Sequence, residues 1–113
     1  MDEAAIQDLF EEVGPVRCRR MFGGLGIYAG DVMFALEAGG ELYLKADDGT
    51  RGAFEAAGSR PFAYEKDGRR VAMSYWRLPD GALDDPAEAA RWARLALDAA
   101  RRAAKPGRRR ARR

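Results

Sequence analysis

Apolar positions near the start of the chain recur at helical spacing. Four of them lie at i, i+3, i+4 and i+7, which places them on one face of an amphipathic helix. These residues are Ile6, Leu9, Phe10 and Val13. Asp2 precedes the stripe as a candidate N-cap, and Gly14-Pro15 follows it as a stop signal. The pattern therefore predicts a first helix that covers a core with one face.

The next thirty residues change to a period of two, which is typical of half-buried strands. Leu25 and Ile27 alternate with Gly26 and Tyr28, and Val32, Phe34 and Leu36 share a face after the Gly30-Asp31 turn signal. A loop at 38–40 leads to a further strand with Leu42 and Leu44. The pattern predicts a three-stranded meander in which Phe34 pairs with Ile27 and Leu44.

The second half predicts a short helix, a hairpin and a long helix. Thr50 is a candidate cap for the short helix, and Asp67-Gly68 is the strongest hairpin signal of the chain. In the second hairpin strand, Met73 and Tyr75 are expected to face the core and Trp76 the opposite side. Asp85, followed by Pro86, is the expected cap of the last helix. Its periodicity fades after residue 102.

These elements predict an α+β fold. The expected architecture has two layers, an antiparallel five-stranded sheet packed with helices, in the order α-β-β-β-α-β-β-α. The length fits one domain, which we expect to span 1–104. Pro106-Gly107 and the arginines after it predict a disordered Arg-rich tail over 105–113.

Charge is distributed unevenly between the predicted body and the chain end. Residues 1–100 carry 12 Lys+Arg and 18 Asp+Glu, so the body is −6, whereas 101–113 carry 8 Lys+Arg and no acid. A uniformly basic nucleic-acid-binding fold is therefore disfavoured. The positive charge of the tail predicts nonspecific binding to nucleic acid. The alternative is that the tail only keeps the chain end soluble. The tail cations are Arg101, Arg102, Lys105, Arg108, Arg109, Arg110, Arg112 and Arg113.

The rare residues argue against catalysis. The chain has no His, and Cys18 is its one cysteine, so neither a Ser–His or Cys–His pair nor a zinc site of the usual kind is available. We expect no enzymatic activity, no cofactor, no metal and no disulfide. The sequence shows no membrane-length apolar stretch, and its N-terminus starts with Asp2 and Glu3 in place of the basic region of a signal peptide. We therefore expect a cytoplasmic protein with no membrane contact.

Two features suggest binding. The glycine-rich run at 21–26 beside Arg19 and Arg20 is either a phosphate cradle or a strand bend that admits a close backbone neighbour. Tyr28 and Trp76 are expected on the sheet face opposite the core, where they would serve as anchors of a protein contact unless helices cover that face.

Several short segments resemble the TfoX/Sxy N-terminal domain family. They are RRMFGGLGIY at 19–28, GELYLKA at 40–46, SRPF at 59–62 and MSYW at 73–76, with Asp85-Pro86 and Trp92-Ala93 near the end. The similarity covers about residues 2–102 and implies the same α+β order. The motif residues it marks for a possible interaction are Arg19, Arg20, Met21, Phe22, Gly23, Gly24, Gly26, Tyr28 and Trp76.

The resemblance implies a bacterial cytoplasmic protein. The best known relatives regulate natural competence, are thought to act with a cyclic-AMP receptor-type activator, and are not enzymes. They carry a second, helix-hairpin-helix-like domain where this sequence has the Arg-rich tail. Many family members are stand-alone domains, so the fold is better supported than the role.

Three functional hypotheses follow. The first is a non-enzymatic regulator or adaptor that binds a protein partner, a transcription activator or a second copy, through the face with Tyr28 and Trp76, and nucleic acid through the tail. The alternative is a homodimerising interaction module without nucleic-acid binding. The third hypothesis is that the protein binds a small phosphorylated ligand, or acts as an enzyme, at the glycine-rich run 21–26.

Overall fold

The computed structural model describes residues 1–21 and 23–109, with the side chains of 64, 71, 72 and 105–109 left aside. The helices are α1 (Glu3–Leu9), α2 (Arg51–Ala56) and α3 (Pro86–Arg109), and a 3-10 turn spans Asp80–Ala82. The strands are β1 (Arg17–Met21), β2 (Gly24–Ala29), β3 (Val32–Ala38), β4 (Glu41–Lys45), β5 (Pro61–Lys66) and β6 (Arg69–Arg77).

All six strands form one antiparallel sheet in the order β1-β2-β3-β4-β6-β5. The α+β class is thus confirmed, whereas the predicted count of five strands is too low. The additional strand is β1, which the sequence showed only as a short alternation around Cys18. It pairs along its whole length with β2, from Arg17 opposite Tyr28 to Met21 opposite Gly24.

The three helices pack on one face of this sheet, and the core lies between the two layers. α3 contacts β3 and β4, α1 contacts β1, and α2 contacts β6. The largest fully buried side chains come from both layers, because each element turns its apolar side inward. They are Phe10, Phe34, Phe54, Ile6, Ile27, Leu42, Leu44 and Leu78.

A register shift in β2–β3 changes the predicted pairing by one residue. Tyr28 pairs with Met33, but after the shift Ile27 pairs with Ala35 instead of Phe34. The extra residue turns both Phe34 and Ala35 into the core, and Leu36 consequently moves to the opposite face. The predicted common face of Val32, Phe34 and Leu36 is wrong for this reason.

The expected helix caps are present at both ends of the domain. Asp2 accepts a hydrogen bond from the Ala5 N–H at 2.9 Å, and Asp85 accepts from the N–H groups of Ala87 and Glu88. Thr50 stands at the N-cap of α2 but makes no side-chain cap hydrogen bond. The last turn of the predicted first helix is irregular, since α1 ends at Leu9.

α3 is longer than the periodicity indicated. Its backbone remains helical to Arg109, so it extends through Pro106-Gly107 into the segment predicted to be disordered. Residues 110–113 lie outside the described residues, and the division into a domain and a flexible tail stays a prediction. None of the helices in the described part of the chain is long and apolar enough to cross a membrane.

Candidate interaction surface

Trp76 belongs to the covered face of the sheet. It is 8% exposed, and its ring lies 6.3 Å from that of Phe54 on α2. Phe54 in turn contacts the Trp92 ring of α3 at 4.8 Å between centroids. The expectation that Trp76 lies outside the core is therefore wrong, because strand alternation in β6 places Trp76, and not Tyr75, towards the helices.

The opposite side of the sheet, the open face, carries a continuous group of half-buried apolar side chains. Strand alternation and register bring them together from β1, β3, β5 and β6. We call this group the open-face patch: Met21, Met33, Leu36, Phe62, Met73 and Tyr75. The residues that line the cavity at this patch all come from strands, and none belongs to the three helices of the described chain.

Two further tyrosines continue the patch. Tyr28 lies opposite Met33 in the register, as predicted for an outward aromatic, and Tyr43 contacts the Phe62 ring edge-on at 4.8 Å between centroids. Burial and the neighbouring Tyr28 raise the pKa of Tyr75. Tyr75 therefore remains neutral at physiological pH and contributes an aromatic ring with a hydroxyl donor.

The patch lines a cavity of about 550 Å³. This volume lies within the range of roughly 300–1,000 Å³ that is usual for ligand and side-chain pockets. Three of the four methionines of the chain line it. Methionine side chains are flexible and polarizable, and they adapt to partners of different shape.

The glycine-rich run has a structural explanation at two positions. A Cβ on Gly24 would lie 2.0 Å from the Glu37 carbonyl oxygen of β3, so β2 approaches β3 only with glycine there. A Cβ on Gly26 would meet the Met21 and Met33 methyl groups at 2.9 and 3.3 Å, so this glycine leaves room for the methionines. The run thus spans the connection between β1 and β2, where Met21 pairs with Gly24, and not a bend within one strand. The close backbone neighbour of Gly24 nevertheless favours the structural interpretation of these glycines over the phosphate cradle.

Cations surround the patch. The guanidinium carbons of Arg17 and Arg19 lie 5.3 and 6.0 Å from the Tyr28 ring centroid, and the Lys45 ammonium lies 5.3 Å from that of Tyr75. Within the described residues, no carboxylate lies within 4 Å of these three charges. Two acids lie beside the patch: Glu41 is bound at 2.7 Å by Arg77, and Glu37, which lines the cavity, lies 3.7 Å from the N-terminal ammonium.

Arg77 joins the open face to the chain that follows β6. Its guanidinium binds Glu41 and also Asp80 at 2.9 Å, and both carboxylates raise its pKa. Ser59 donates to the Arg77 carbonyl, which fixes the start of β5 to the end of β6. The charge of Arg77 is thus neutralised within the domain. Arg17 and Lys45 donate only to neutral groups, the Gly30 carbonyl and the Ser74 hydroxyl, so their charges and that of Arg19 are not neutralised by a carboxylate of the described residues.

A second, open cavity of about 520 Å³ lies at the end of β4, where Lys45 and Asp47 face Ser74 of β6 and Ala103 of α3. Lys45 donates to the Ser74 hydroxyl at 2.6 Å there, and Asp47 accepts from Arg102 at 2.7 Å. The Arg102 hydrogen bond lowers the pKa of Asp47. Asp47 also accepts from the N–H groups of Gly49 and Thr50, so its carboxylate orders this loop.

The tail cations predicted to bind nucleic acid are thus divided. Arg102 is held by Asp47 and fastens α3 to the domain, and Arg101 is exposed on the same helix. Lys105, Arg108 and Arg109 follow on the helical backbone, and Arg110, Arg112 and Arg113 lie outside the described residues, as does Phe22 of the family motif. Arg20 is exposed and lies on the covered side of β1.

Asp48, Asp85 and the cysteine have local structural roles. Asp48 pairs with Arg51 at 2.8 Å, and Asp85 caps α3. In the part of the chain that the structure describes, no three Asp, Glu or Cys side chains come together as metal ligands. Cys18 is half-buried, and burial together with the Glu3 carboxylate raises its pKa, so its thiol is protonated at neutral pH.

The fold and this surface define a small α+β domain with one covered and one open sheet face. A family model described as the TfoX N-terminal domain matches residues 8–100. The chain belongs to this family, as the sequence motifs predicted. The match includes every strand and most of α3, so the open face is part of the family domain.

Two curated proteins are similar to the chain. Protein Sxy of Escherichia coli strain K12 is 29% identical over 96 residues, which is 83% of this chain and 45% of that protein. DNA transformation protein TfoX1 of Aliivibrio fischeri is 29% identical over 70 residues, which is 62% of this chain and 34% of that protein. The chain thus spans less than half the length of either relative.

Proposed function

We propose that the protein is a non-enzymatic regulator or adaptor domain that binds a protein partner through its open face. The observation that carries this proposal is the open-face patch itself. Half-buried methionine, leucine and aromatic side chains surround a cavity on a sheet face to which the helices of the described residues contribute no lining side chain. Apolar concave surfaces with a polar rim are typical of interaction sites.

The names of the relatives suggest the process. One of them is called a DNA transformation protein, and we extend that role to this chain as part of the proposal, in the form of regulation of competence-type genes in the bacterial cytoplasm. The shared segment in that relative covers only 34% of its length. The domain would therefore supply the partner-binding step of regulation.

The chemistry of the surface favours binding over catalysis. The sequence lacks histidine, and the protonated thiol of Cys18 is a poor nucleophile. Ser74 accepts from Lys45 on an exposed strand surface, where the ammonium serves as a hydrogen-bond donor. We therefore assign the open face a binding role.

A rescue experiment tests this function. The gene is deleted in the bacterium that encodes it, and transcripts are compared after return of the wild type, of Leu36→Glu or of Leu83→Glu. Leu36 lies in the patch, whereas Leu83 is 38% exposed outside it and serves as the matched control. We expect wild type and Leu83→Glu to restore the transcripts and Leu36→Glu to fail although it folds. Equal rescue by Leu36→Glu would overturn the proposal.

The basic chain end adds a second, electrostatic contact in this proposal. Arg101 and the cations from Lys105 onward would bind nucleic acid without sequence preference, since they concentrate positive charge at one end. Fluorescence anisotropy with a random DNA duplex, titrated with salt, compares the full chain with one that ends at Ala104. We expect steeply salt-dependent binding that the shortened chain has lost. Equal binding by both chains would contradict a role for the tail.

A further inference from the structure

We propose that the element which docks on the open face is an acidic amphipathic helix of the partner protein. The inference rests on the proposed function and specifies its partner. The apolar side of the helix would fill the cavity between Met33 and Tyr75, and its carboxylates would meet Arg17, Arg19 and Lys45. Three observations carry it: the form of the face, its methionines and its charge.

The form of the face favours a helix. The four inner strands are paired on both sides, so their backbone groups are already hydrogen-bonded and a partner reaches only side chains there. On the covered face the same sheet packs a long helix, α3, across β3 and β4. A helix of about 18 residues is roughly 27 Å long, close to the roughly 24 Å between the outer strands of a six-stranded sheet.

The flexible methionine side chains of the open face can adapt to the rows of side chains on a helix. The side-chain ends of Met21 and Met33 lie over Gly26, which has no side chain to displace them. These ends can move apart to admit leucine or methionine side chains that recur at i, i+3 and i+4. An incoming helix therefore meets adaptable groups above a fixed backbone floor.

Charge selects an acidic helix. The open face carries Arg17, Arg19 and Lys45 without carboxylate partners among the described residues. Both acids beside them are already bound: Glu41 by Arg77, and Glu37, which lines the cavity, by the N-terminal ammonium at 3.7 Å and the Gly40 N–H. The body as a whole is −6 over residues 1–100, so this face differs in sign from the rest. Two copies placed face to face would bring these cations into one interface, where like charges oppose association. An acidic partner removes that penalty.

Binding of designed peptides to the full chain tests the inference. The probe is a fluorescent 18-residue helix, stabilised by side-chain bridges, with Leu and Met on one side and Glu on the other. Two controls are the same peptide with Lys in place of Glu and a scrambled acidic peptide without an apolar face. We expect the acidic amphipathic helix to bind at least about tenfold more tightly than either control, and its affinity to fall with salt.

Matched protein variants locate the contact. Arg17→Glu combined with Arg19→Glu should weaken binding of the acidic probe by at least about tenfold and reduce its salt dependence. Arg91→Glu combined with Arg94→Glu makes the same charge change on α3 and should leave binding unchanged. Leu36→Glu should abolish binding, whereas Leu83→Glu should not. Thermal unfolding verifies that each variant folds.

The outcomes separate this inference from the proposed function. The inference of an acidic helix would be overturned if the basic or the scrambled peptide bound more tightly, or if the Arg17/Arg19 variant bound the acidic probe as well as the wild type. In either case the rescue experiment could still support binding through the open face. A dimer in sedimentation that Leu36→Glu dissolves would also overturn it, because a second copy would then occupy the face. Failure of the proposed function itself appears as rescue by Leu36→Glu.

Discussion

The two faces of one sheet differ in how their apolar side chains are used. On the covered face, Ile27, Leu44 and Trp76 are buried between the sheet and the helices, and they stabilise the fold. On the open face, Leu36 of β3 and Tyr75, the neighbour of Trp76 on β6, remain half-buried around a cavity. Adjacent residues of one strand thus serve stability and binding respectively, and substitutions should separate the two roles.

The largest difference is expected between Trp76 and its neighbour Tyr75. Trp76→Ala removes a buried indole beside Phe54 and should lower the free energy of unfolding by about 3–5 kcal/mol. Tyr75→Ala removes a half-buried ring and should cost about 1–2 kcal/mol. Urea unfolding measures both values. Equal losses would show that the two faces contribute alike to stability.

A similar contrast separates Gly24 from Gly26. Gly24→Ala places a methyl group against the Glu37 carbonyl of the next strand, so the strands must shift, at a cost of about 1–3 kcal/mol. Gly26→Ala meets only the movable ends of Met21 and Met33, and stability should change by less than about 1 kcal/mol. Thermal unfolding of both variants checks this, and a larger loss for Gly26→Ala would contradict it.

A smaller, pH-dependent effect is expected at the ion pair between Arg102 and Asp47. Because the pair lowers the pKa of Asp47 below its usual 3.8, its stabilisation is present above that value and is lost as pH falls through the folded-state pKa. Arg102→Ala should therefore lower Tm slightly at pH 7 and have no effect near pH 2. Arg101→Ala is the matched control. A difference in Tm that persists in acid would exclude this electrostatic origin.

The smallest effect concerns the reactivity of Cys18. Since burial and Glu3 raise its pKa, alkylation by iodoacetamide at pH 8 should be slower than for cysteine in a short peptide. Glu3→Gln removes the nearby negative charge and should increase the rate, whereas Glu12→Gln should not. Mass spectrometry of the alkylated chain gives the rates. Equal rates in the two variants would show that Glu3 has no influence on the thiol.

The sequence predicted those parts of the fold that depend on local signals. Asp2 and Asp85 cap their helices, and Asp67-Gly68 forms the turn at which Lys66 pairs with Arg69. Tyr64 pairs with Val71 as expected further along that hairpin. These features require only neighbouring residues, so composition and spacing are sufficient to predict them.

The assignment of faces depended on features that the sequence does not show. The register shift within β2–β3 inserts one residue into β3 and changes which of its side chains lie on a face, so Leu36 was expected in the core. The shift within β5–β6 is two residues and keeps the faces, so Trp76 was misplaced because the alternation of β6 does not show which of its sides the helices cover. The open-face patch was missed for these two reasons.

Methionine oxidation tests the central claim most directly. The extent of sulfoxide formation at Met21, Met33 and Met73 is compared between the purified chain and the chain inside its bacterium, with Met1, which is 43% exposed, as internal reference. If the open face binds a partner, the three methionines oxidise in the purified chain and are protected in the cell, while Met1 reacts equally in both. Equal oxidation of all four methionines in the two settings would contradict a docking role for this face.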